Sequence, residues 1–225
     1  MRYITVLSKI LKKEITLADM NSHAYFETFK RWSGFWGTVN FRIKARIFGV
    51  KAGKKVKCYG PIDILRAMKS TIEIGDNVSF VSSSKRGTAS SIYSPVRLRT
   101  WNPNSKILIG SNSGLNGTSI TSRSKTISIG QGVMIAPNVV IVDSDFHAYW
   151  PPENRAVNPG FESDADVTIS RNVWVGMNSI ILKGANIGEN SIIGAGSVVT
   201  GSIPANVVAA GVPARVIKNL SGGSK

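Results

Sequence analysis

Aliphatic residues recur at every sixth position through the second half of the chain. Ile or Val leads nine units of this repeat, at Ile129, Ile135, Ile141, Ile169, Val175, Ile181, Ile187, Ile193 and Val199, and a weaker tenth unit begins at Ala205. A period of six fits neither the face of an α-helix nor a strand with one buried side. We therefore expect each unit to form one short strand and a turn, with three units closing a triangular coil around a column of Ile and Val.

Two further positions of the unit support this coil. The fifth residue is small, which suits an inward position at a crowded corner; these residues are Val133, Val139, Ser179, Ala185, Ser191 and Ser197. Residues that tolerate positive φ stand where the chain must turn, at Gly110, Gly130, Asn138, Asn172, Asn178, Gly184, Asn190 and Gly196. A glycine-rich β-sandwich is the alternative, but it predicts irregular strand spacing, whereas six units run from 169 to 204 without a break.

The repeat stops between residues 144 and 166. The interval from Ile141 to Ile169 is 28 residues, which is not a whole number of units. A loop that leaves a regular scaffold is where binding and catalytic residues concentrate. It contains His147, one of two histidines in the chain; the other, His23, lies in the N-terminal segment and is expected at the surface.

Positive charge is concentrated in the first quarter of the chain. Residues 1–60 contain thirteen Lys or Arg and three acidic residues, which accounts for ten of the fifteen excess positive charges. Apolar residues recur there at helical spacing, at Trp32, Phe35, Trp36, Val39, Ile43 and Ile47, flanked by Arg31, Arg42, Lys44 and Arg46. Two interpretations are open: a helix at the surface of an anionic membrane, or a helix that covers the open end of the coil with its aromatic face. Nucleic-acid binding is disfavoured because no recognised motif accompanies the charge.

Cysteine content and hydropathy restrict the class of protein. Cys58 is the only cysteine, so an intrachain disulfide is impossible and a reducing compartment is expected. No apolar run is long enough to span a bilayer, and the start of the chain lacks the form of a signal peptide.

Residues 109–220 resemble a known family. The strongest stretches are Ile169-Ser-Arg-Asn-Val-Trp-Val-Gly176, Ile187-Gly-Glu-Asn-Ser-Ile-Ile-Gly-Ala-Gly-Ser-Val-Val-Thr200, Ile203-Pro204 and Ala210-Gly-Val-Pro-Ala-Arg-Val-Ile-Lys218. They are similar to the left-handed β-helix, or hexapeptide-repeat, acyltransferases, and in particular to sugar O-acetyltransferases of the galactoside, maltose and polysaccharide-modifying type. The resemblance implies a left-handed coil, a homotrimer and active sites between subunits.

The predicted fold class is all-β, a left-handed parallel β-helix of hexapeptide repeats with an N-terminal helical segment and a short C-terminal helix. The predicted domains are a basic, aromatic helical segment at 1–58, the β-helix at 59–212 with its loop at 144–166, and a C-terminal helix with a flexible tail at 213–225.

The resemblance assigns catalytic and acceptor roles. It places His147 at the position of the family's catalytic histidine, where a neutral imidazole would take the proton of the attacking hydroxyl. Glu162, with Asp143 and Asp145 as alternatives, is the predicted carboxylate that orients this ring. Asn116 aligns with an asparagine that binds the acceptor, and an acidic acceptor residue of the family is replaced by Ser124. Tyr149, Trp150 and Arg155 could line an acceptor cleft.

The donor is expected to be acetyl-coenzyme A, without a metal. Matched cofactor-binding positions are Trp174 on the pantetheine arm, Met177, Ala195 and Thr200 along the same groove, and Arg215 and Lys218 near the phosphates and adenine. Direct transfer is expected because no nucleophile motif is present and Cys58 lies outside the matched region. A γ-type carbonic anhydrase is excluded because its zinc site needs three histidines.

The sequence therefore predicts an acetyl-coenzyme A dependent O-acetyltransferase of a sugar hydroxyl in a surface glycan or its lipid- or nucleotide-linked precursor. Two alternatives stay open: N-acetylation of a nucleotide-linked amino sugar, and a trimeric scaffold without catalysis. A cytoplasmic protein is expected, with contact to the inner face of the plasma membrane through residues 1–58 as one interpretation.

Overall fold

The computed structural model describes residues 16–86 and 89–220. The predictions for residues 1–15 and for the tail 221–225 lie outside the described residues. Helix α1, Leu17–Ile47, begins with a reciprocal cap in which Thr16 Oγ1 accepts from the Asp19 amide at 3.1 Å and Asp19 Oδ2 accepts from the Thr16 amide at 2.8 Å. Lys44 and Arg46 lie in its last turn, where cations are favourable to the helix dipole.

Helix α1 packs on the first turns of the coil through small residues and one phenylalanine. Ser33, Gly37, Phe41 and Ala45 are buried at a spacing of four, and the Phe41 ring lies 5.8 Å from the ring of Phe80. A Cβ at Gly37 would lie 2.3 Å from the Cys58 carbonyl oxygen, so only glycine fits there. The predicted helix is confirmed. The prediction that its aromatic face covers the coil is wrong, because close approach requires the small residues of the opposite face.

The strands that follow are short. In chain order they are β1 Lys51–Ala52, β2 Lys57–Tyr59, β3 Ile62–Leu65, β4 Thr71–Ile74, β5 Ser79–Val81, β6 Val96–Thr100, β7 Lys106–Ile109, β8 Gly114–Asn116, β9 Ser119–Ser122, β10 Thr126–Ile129, β11 Met134–Ile135, β12 Val140–Val142, β13 Val167–Ile169, β14 Trp174–Val175, β15 Ile180–Ile181, β16 Asn186–Ile187, β17 Ile192–Ile193, β18 Val198–Val199, β19 Ser202–Ile203, β20 Val207–Ala210 and β21 Arg215–Asn219. Strand β1 lies before residue 59, where the sequence places the start of the β-helix, and strand β2 ends at that residue.

Three parallel sheets form the faces of the coil, and successive strands pass from one face to the next. Among the described residues, sheet A has the order β1-β4-β7-β10-β13-β16-β19, sheet B the order β2-β5-β8-β11-β14-β17-β20-β21, and sheet C the order β3-β6-β9-β12-β15-β18. The register aligns inward residues of successive turns, as in Ile127↔Val167 in sheet A and Ile141↔Ile181 in sheet C. The predicted parallel β-helix is confirmed.

The core is the predicted aliphatic column. All nine leading Ile and Val residues are at most 2% exposed, and the six small residues at position five are also buried. Ala205 is exposed, so the tenth unit is wrong; Ile203, paired with Ile187, takes the inward place instead because the last turn is shortened. Each buried side chain of this type contributes about 1.5–3 kcal/mol by removal from water.

Two of the glycines predicted to adopt positive φ do not do so, and they are required for a different structural reason. Gly110 and Gly130 are absent from the positive-φ positions, whereas Asn138, Asn172 and Asn190 have φ of 64°, 57° and 59°. A Cβ at Gly110 would lie 2.5 Å from the Gln131 amide nitrogen of the next turn. The reason for glycine at these two sites is therefore close stacking of the backbone, not an unusual φ.

The C-terminal segment is a strand, so the prediction of a short C-terminal helix is wrong. Residues Arg215–Asn219 form β21, which pairs antiparallel with β20. Strand β20 is the last parallel strand of sheet B and would otherwise present unpaired backbone groups at the sheet edge. The β-branched residues Val216 and Ile217 also favour a strand over a helix.

Candidate active site

His147 lies on the loop between β12 and β13 and is exposed to solvent. Its Nδ1 is 2.8 Å from the carbonyl oxygen of Arg155, an atom that can only accept a hydrogen bond. Nδ1 therefore carries the proton in the neutral ring, and Nε2 has a free lone pair. An imidazole in this tautomer can accept a proton at Nε2 while the carbonyl holds the ring in place.

The base of this loop is attached to the coil by Arg123. The Arg123 guanidinium donates to Asp164 Oδ2 at 3.0 Å, to the Gly160 carbonyl at 2.9 Å, and also to the Pro159 carbonyl. The two charged side chains are 4% and 0% exposed. Ser124 Oγ donates to the same carboxylate. These contacts fix the end of the loop that carries His147.

Phe146, the residue before His147, packs the loop against the coil. The Phe146 ring lies 5.7 Å from the Trp101 ring and 5.7 Å from the Arg123 guanidinium carbon, and Phe146 has a φ of 66°, which is unusual for an aromatic residue. A Cβ on Gly160 would lie 2.9 Å from the His147 carbonyl carbon, so the two strands of the loop approach at a position that requires glycine.

The three carboxylates predicted to orient His147 do not contact it in the described residues. Asp143 is fully buried and accepts from the Arg123 and Lys125 amides at 2.7 and 2.8 Å, so it stabilises the turn after β9. Asp145 pairs with Lys183, and Glu162 is exposed on the short 3₁₀ turn Phe161–Ser163. The orienting group in the structure is the Arg155 carbonyl, which corrects the assignment to Glu162; a backbone acceptor leaves no sequence signal.

Three of the predicted acceptor residues, Tyr149, Trp150 and Arg155, lie on the same loop as His147. Tyr149 and Trp150 are 70% and 74% exposed. The Arg155 side chain folds back and donates to the Tyr149 carbonyl at 3.3 Å, while its own carbonyl holds His147. The loop thus exposes two aromatic rings within three residues of His147 along the chain.

Asn116 lies at the end of β8, on sheet B. Its Nδ2 donates to the Ile135 carbonyl of the next turn at 2.7 Å, which fixes the amide plane. Among the described residues no donor occupies its Oδ1, so this oxygen is the atom that can accept from a hydroxyl or an amine.

Sheet B carries three of the six predicted cofactor-binding residues, namely Trp174, Arg215 and Lys218. The register aligns Trp174 with Ile192, Ile192 with Val208, and Val208 with Lys218. Trp174 is 48% exposed, and Lys218 lies three strand spacings away, about 14 Å at the usual spacing. Arg215 follows on the same outer strand, opposite Ala210. The outer face of sheet B is thus an apolar strip that ends in two cations, which fits a pantetheine arm and its phosphates.

The remaining predicted positions lie at two corners of the coil. Met177 and Ala195 follow sheet B strands, and Gly176 stacks so closely under Ala195 that a Cβ on Gly176 would lie 2.5 Å from the Ala195 amide nitrogen. Thr200 is exposed and follows β18 of sheet C, at the corner from which the 144–166 loop also leaves.

Within one chain the predicted site is divided between these corners. Asn116, Met177 and Ala195 lie between sheets B and C, whereas the loop with His147 leaves the coil between sheets C and A. The strand that separates the corners, such as β9 with its four residues, is about 13 Å long. The loop with His147 thus leaves the coil about one strand length from the corner that holds Asn116.

Sequence reasoning missed Arg123, Asp164 and the Trp101–Phe146 contact. The sequence did contain one signal for a buried ion pair, since Arg123 stands among inward positions that are otherwise small or aliphatic. Its partner Asp164 lies 41 residues later, so the spacing does not identify it.

Cys58 has no place in this site. It is fully buried under α1, and burial raises the pKa of its thiol to about 12. The nucleophilic thiolate is therefore scarce at neutral pH. Among the described residues, no group of three His, Cys, Asp or Glu side chains could hold a metal ion.

Comparison with known proteins identifies relatives of the repeat region. The family model described as bacterial transferase hexapeptide (six repeats) matches residues 166–201. Galactoside O-acetyltransferase of Escherichia coli K12 is 45% identical over 43% of this chain and 45% of its own length. An E. coli K12 protein provisionally named lipopolysaccharide biosynthesis O-acetyl transferase is 38% identical over 43% of this chain and 52% of its own. The chain thus spans about half the length of the curated relatives it matches.

A solved structure extends the comparison to the fold. A mutant of AntD, an N-acyltransferase from Bacillus cereus in complex with dTDP-4-amino-4,6-dideoxyglucose and coenzyme A, is 22% identical and covers 79% of this chain and 88% of its own, with a TM-score of 0.58. This similarity concerns the fold alone and agrees with the left-handed hand of the coil. The repeat, the family model matched over residues 166–201 and the identity to galactoside O-acetyltransferase over 43% of this chain show that the chain is similar to the hexapeptide-repeat acyltransferases.

Proposed function

We propose that this protein is an acetyl-coenzyme A dependent O-acetyltransferase that modifies a hydroxyl of a sugar in a surface glycan or in its lipid- or nucleotide-linked precursor. The observation that carries the proposal is the ring of His147, whose Nδ1 faces the Arg155 carbonyl at 2.8 Å and whose Nε2 is free. A general base for a hydroxyl needs an unprotonated nitrogen that the acceptor can reach, and Nε2 of the exposed His147 ring supplies one.

In the proposed reaction, His147 Nε2 accepts the proton of the acceptor hydroxyl while the hydroxyl oxygen forms a bond to the thioester carbonyl carbon. The carbon–sulfur bond then breaks, and the imidazolium returns the proton to the leaving sulfur. The Arg155 carbonyl stabilises the ring in its charged form, because it accepts the Nδ1 hydrogen throughout. Asn116 Oδ1 orients the acceptor, and Tyr149 and Trp150 pack against the sugar ring.

The donor is bound along the outer face of sheet B. Trp174 and the apolar residues in register with it would contact the pantetheine arm, with Met177 and Ala195 beside it at the corner. Arg215 and Lys218 would bind the phosphates, for which cations on an exposed strand are suited. Thr200 would contact the same groove from the copy that supplies the loop.

We propose that the active unit is a homotrimer. The division of the site between two corners of the coil supports this, because a threefold arrangement places the loop of one protomer against sheet B of the next. We also propose that the enzyme works in the cytoplasm, where acetyl-coenzyme A is available, and that residues 1–58 contact the inner face of the plasma membrane.

Acetyl transfer is tested by incubating the purified protein with acetyl-coenzyme A and matched pairs of hydroxy and amino sugars, free and nucleotide-linked. Release of coenzyme A with formation of an alkali-labile product supports an ester and hence O-acetylation. An alkali-stable product identifies N-acetylation instead. If no pair yields product although coenzyme A binds, the scaffold alternative is favoured and the proposed activity is wrong.

A further inference from the structure

Helix α1 exposes a continuous row of large apolar side chains. We name this row the aromatic stripe and define it as Trp32, Phe35, Trp36, Ile43 and Ile47, each between 54% and 70% exposed. At 3.6 residues per turn the stripe is centred about 150° from the buried face of the same helix. Exposed apolar side chains are usual singly, but a row of five with two tryptophans indicates a surface that contacts a protein, a membrane or a ligand.

The stripe cannot turn inward to become part of the core. Its helix is anchored on the opposite side, where Phe41 is 1% exposed and Gly37 approaches the Cys58 carbonyl so closely that no Cβ fits. Thr38 Oγ1 accepts from the Cys58 amide at 3.0 Å, which adds a polar contact on the anchored side. The apolar surface of the stripe therefore faces outward at the N-terminal end of the coil.

A row of arginines follows one border of the stripe. Arg31, Arg42 and Arg46 are exposed, and in the described part of the chain no carboxylate pairs with them. A groove of about 460 Å³ beside the stripe is lined by Arg31, Arg42, Lys55 and Lys57, with apolar surface from Phe35. Cations around an apolar groove suit a phosphate that is joined to an acyl chain.

Two occupants could cover such a surface: a second copy of the stripe or an anionic lipid surface. Pairing two stripes would bring two rows of arginines together in a protein that already has a net charge of +15. An anionic phospholipid surface satisfies both features at once, since Trp and Phe are favoured at the depth of the headgroups and each nearby cation gains from the negative surface potential. No helix in the described residues could cross a membrane, so the helix would lie along the surface.

We propose that α1 is a membrane-surface anchor that lays its aromatic stripe into the headgroup region of an anionic phospholipid bilayer, with Arg31, Arg42 and Arg46 on lipid phosphates. This inference does not depend on acetyl transfer, because neither the stripe nor the arginines belong to the proposed active site.

The test is sedimentation of the full-length protein with vesicles of phosphatidylglycerol and phosphatidylcholine, compared with vesicles of phosphatidylcholine alone. The wild-type protein should bind the anionic vesicles at least about tenfold more strongly, and added salt should weaken the binding. The stripe variant Trp32→Ser/Trp36→Ser and the charge variant Arg31→Gln/Arg42→Gln should each lose at least about tenfold of this binding. The control variant Met68→Ser/Tyr93→Ser, which removes two exposed apolar residues elsewhere, should bind as the wild type does.

Circular dichroism and the mass in solution are measured for every variant. Vesicle binding that survives in the stripe variant of a folded protein overturns the proposal. So does equal binding to both kinds of vesicle, or none. A stripe variant that keeps its vesicle binding but dissociates into smaller species would show instead that a second copy covers the stripe.

Discussion

Arg123 donates to both carboxylate oxygens of Asp164 across 41 residues of sequence, and both side chains are buried. The pair joins the turn after β9 to the end of the 144–166 loop. Because the same guanidinium also holds the Gly160 carbonyl, which lies beside the His147 backbone, the position of the proposed base depends on this contact.

Removal of one partner should destabilise the fold strongly. Arg123→Ala leaves a buried carboxylate without its cation, so the free energy of unfolding should fall by about 3–5 kcal/mol. Urea unfolding at neutral pH measures this loss. The matched control is Arg171→Gln, whose ion pair with Glu189 is exposed, so its loss should lower the free energy of unfolding far less than Arg123→Ala does. Equal losses in the two variants would contradict the role assigned to Arg123.

The same pair predicts a pH dependence. Burial raises the pKa of the Asp164 carboxyl, but hydrogen bonds from Arg123 and two serines, with the arginine charge, outweigh it and hold the pKa below its ordinary value of 3.8. Below pH 3.8 the unfolded state binds the Asp164 proton more readily than the folded state does. The stabilisation that Asp164 provides is therefore complete above pH 3.8 and is lost as the pH falls through the pKa of the folded state. The difference in unfolding free energy between wild type and Asp164→Asn should therefore shrink as the pH falls below 3.8. A constant difference would contradict the shift.

The interface between α1 and the coil gives a prediction about glycines. Gly37→Ala should lower the free energy of unfolding by about 1–3 kcal/mol, because its methyl group would meet the Cys58 carbonyl of the backbone. Gly34→Ala is the matched control, since its methyl group would meet the Tyr59 ring, a side chain that can rotate away. Thermal unfolding should rank Gly37→Ala below Gly34→Ala, and the reverse order would show that the helix is not held at Gly37.

Much of this fold could be predicted because the repeat is a local rule. A small inward residue such as Ser191 or Val139 is repeated at a fixed spacing, so the core follows from counting. Gly130 shows the limit, since the sequence cannot distinguish a glycine required by φ from one required by the approach of Arg171 in the next turn. The prediction of a C-terminal helix is wrong because Arg215–Asn219 form a strand by pairing with the free edge of β20, a contact that the local sequence does not show.

The residues of the candidate site remain sequence predictions, and their contacts could not be read from the sequence. His147 stood out by its place in an interrupted repeat, yet the group that orients it is a backbone carbonyl and carries no residue type. The helix face shows the same limit. The spacing of Trp32 and Phe35 predicts an apolar helix face. The structure shows that this face points away from the coil, because Gly37 and Phe41 pack against the coil on the opposite side.

The proposed donor site predicts a selective effect on binding. Arg215→Gln/Lys218→Gln should raise KM for acetyl-coenzyme A by about tenfold or more. Hydrogen bonds to charged groups contribute about 1.5–3 kcal/mol, and the lower end of this range applies because both residues are exposed. The value of kcat should change little, since neither residue is proposed to touch the reacting atoms. Steady-state kinetics with dephospho-coenzyme A thioester as a second donor indicates which phosphate is bound. A fall in kcat with an unchanged KM would contradict the assignment.

The central claim is that the imidazole of His147 takes the acceptor proton. The most direct measurement is the turnover of His147→Ala together with its affinity for coenzyme A, determined by calorimetry on the same preparation. The account predicts a loss of kcat of about 10²–10⁴-fold with coenzyme A affinity almost unchanged. Turnover equal to that of the wild-type protein would contradict it.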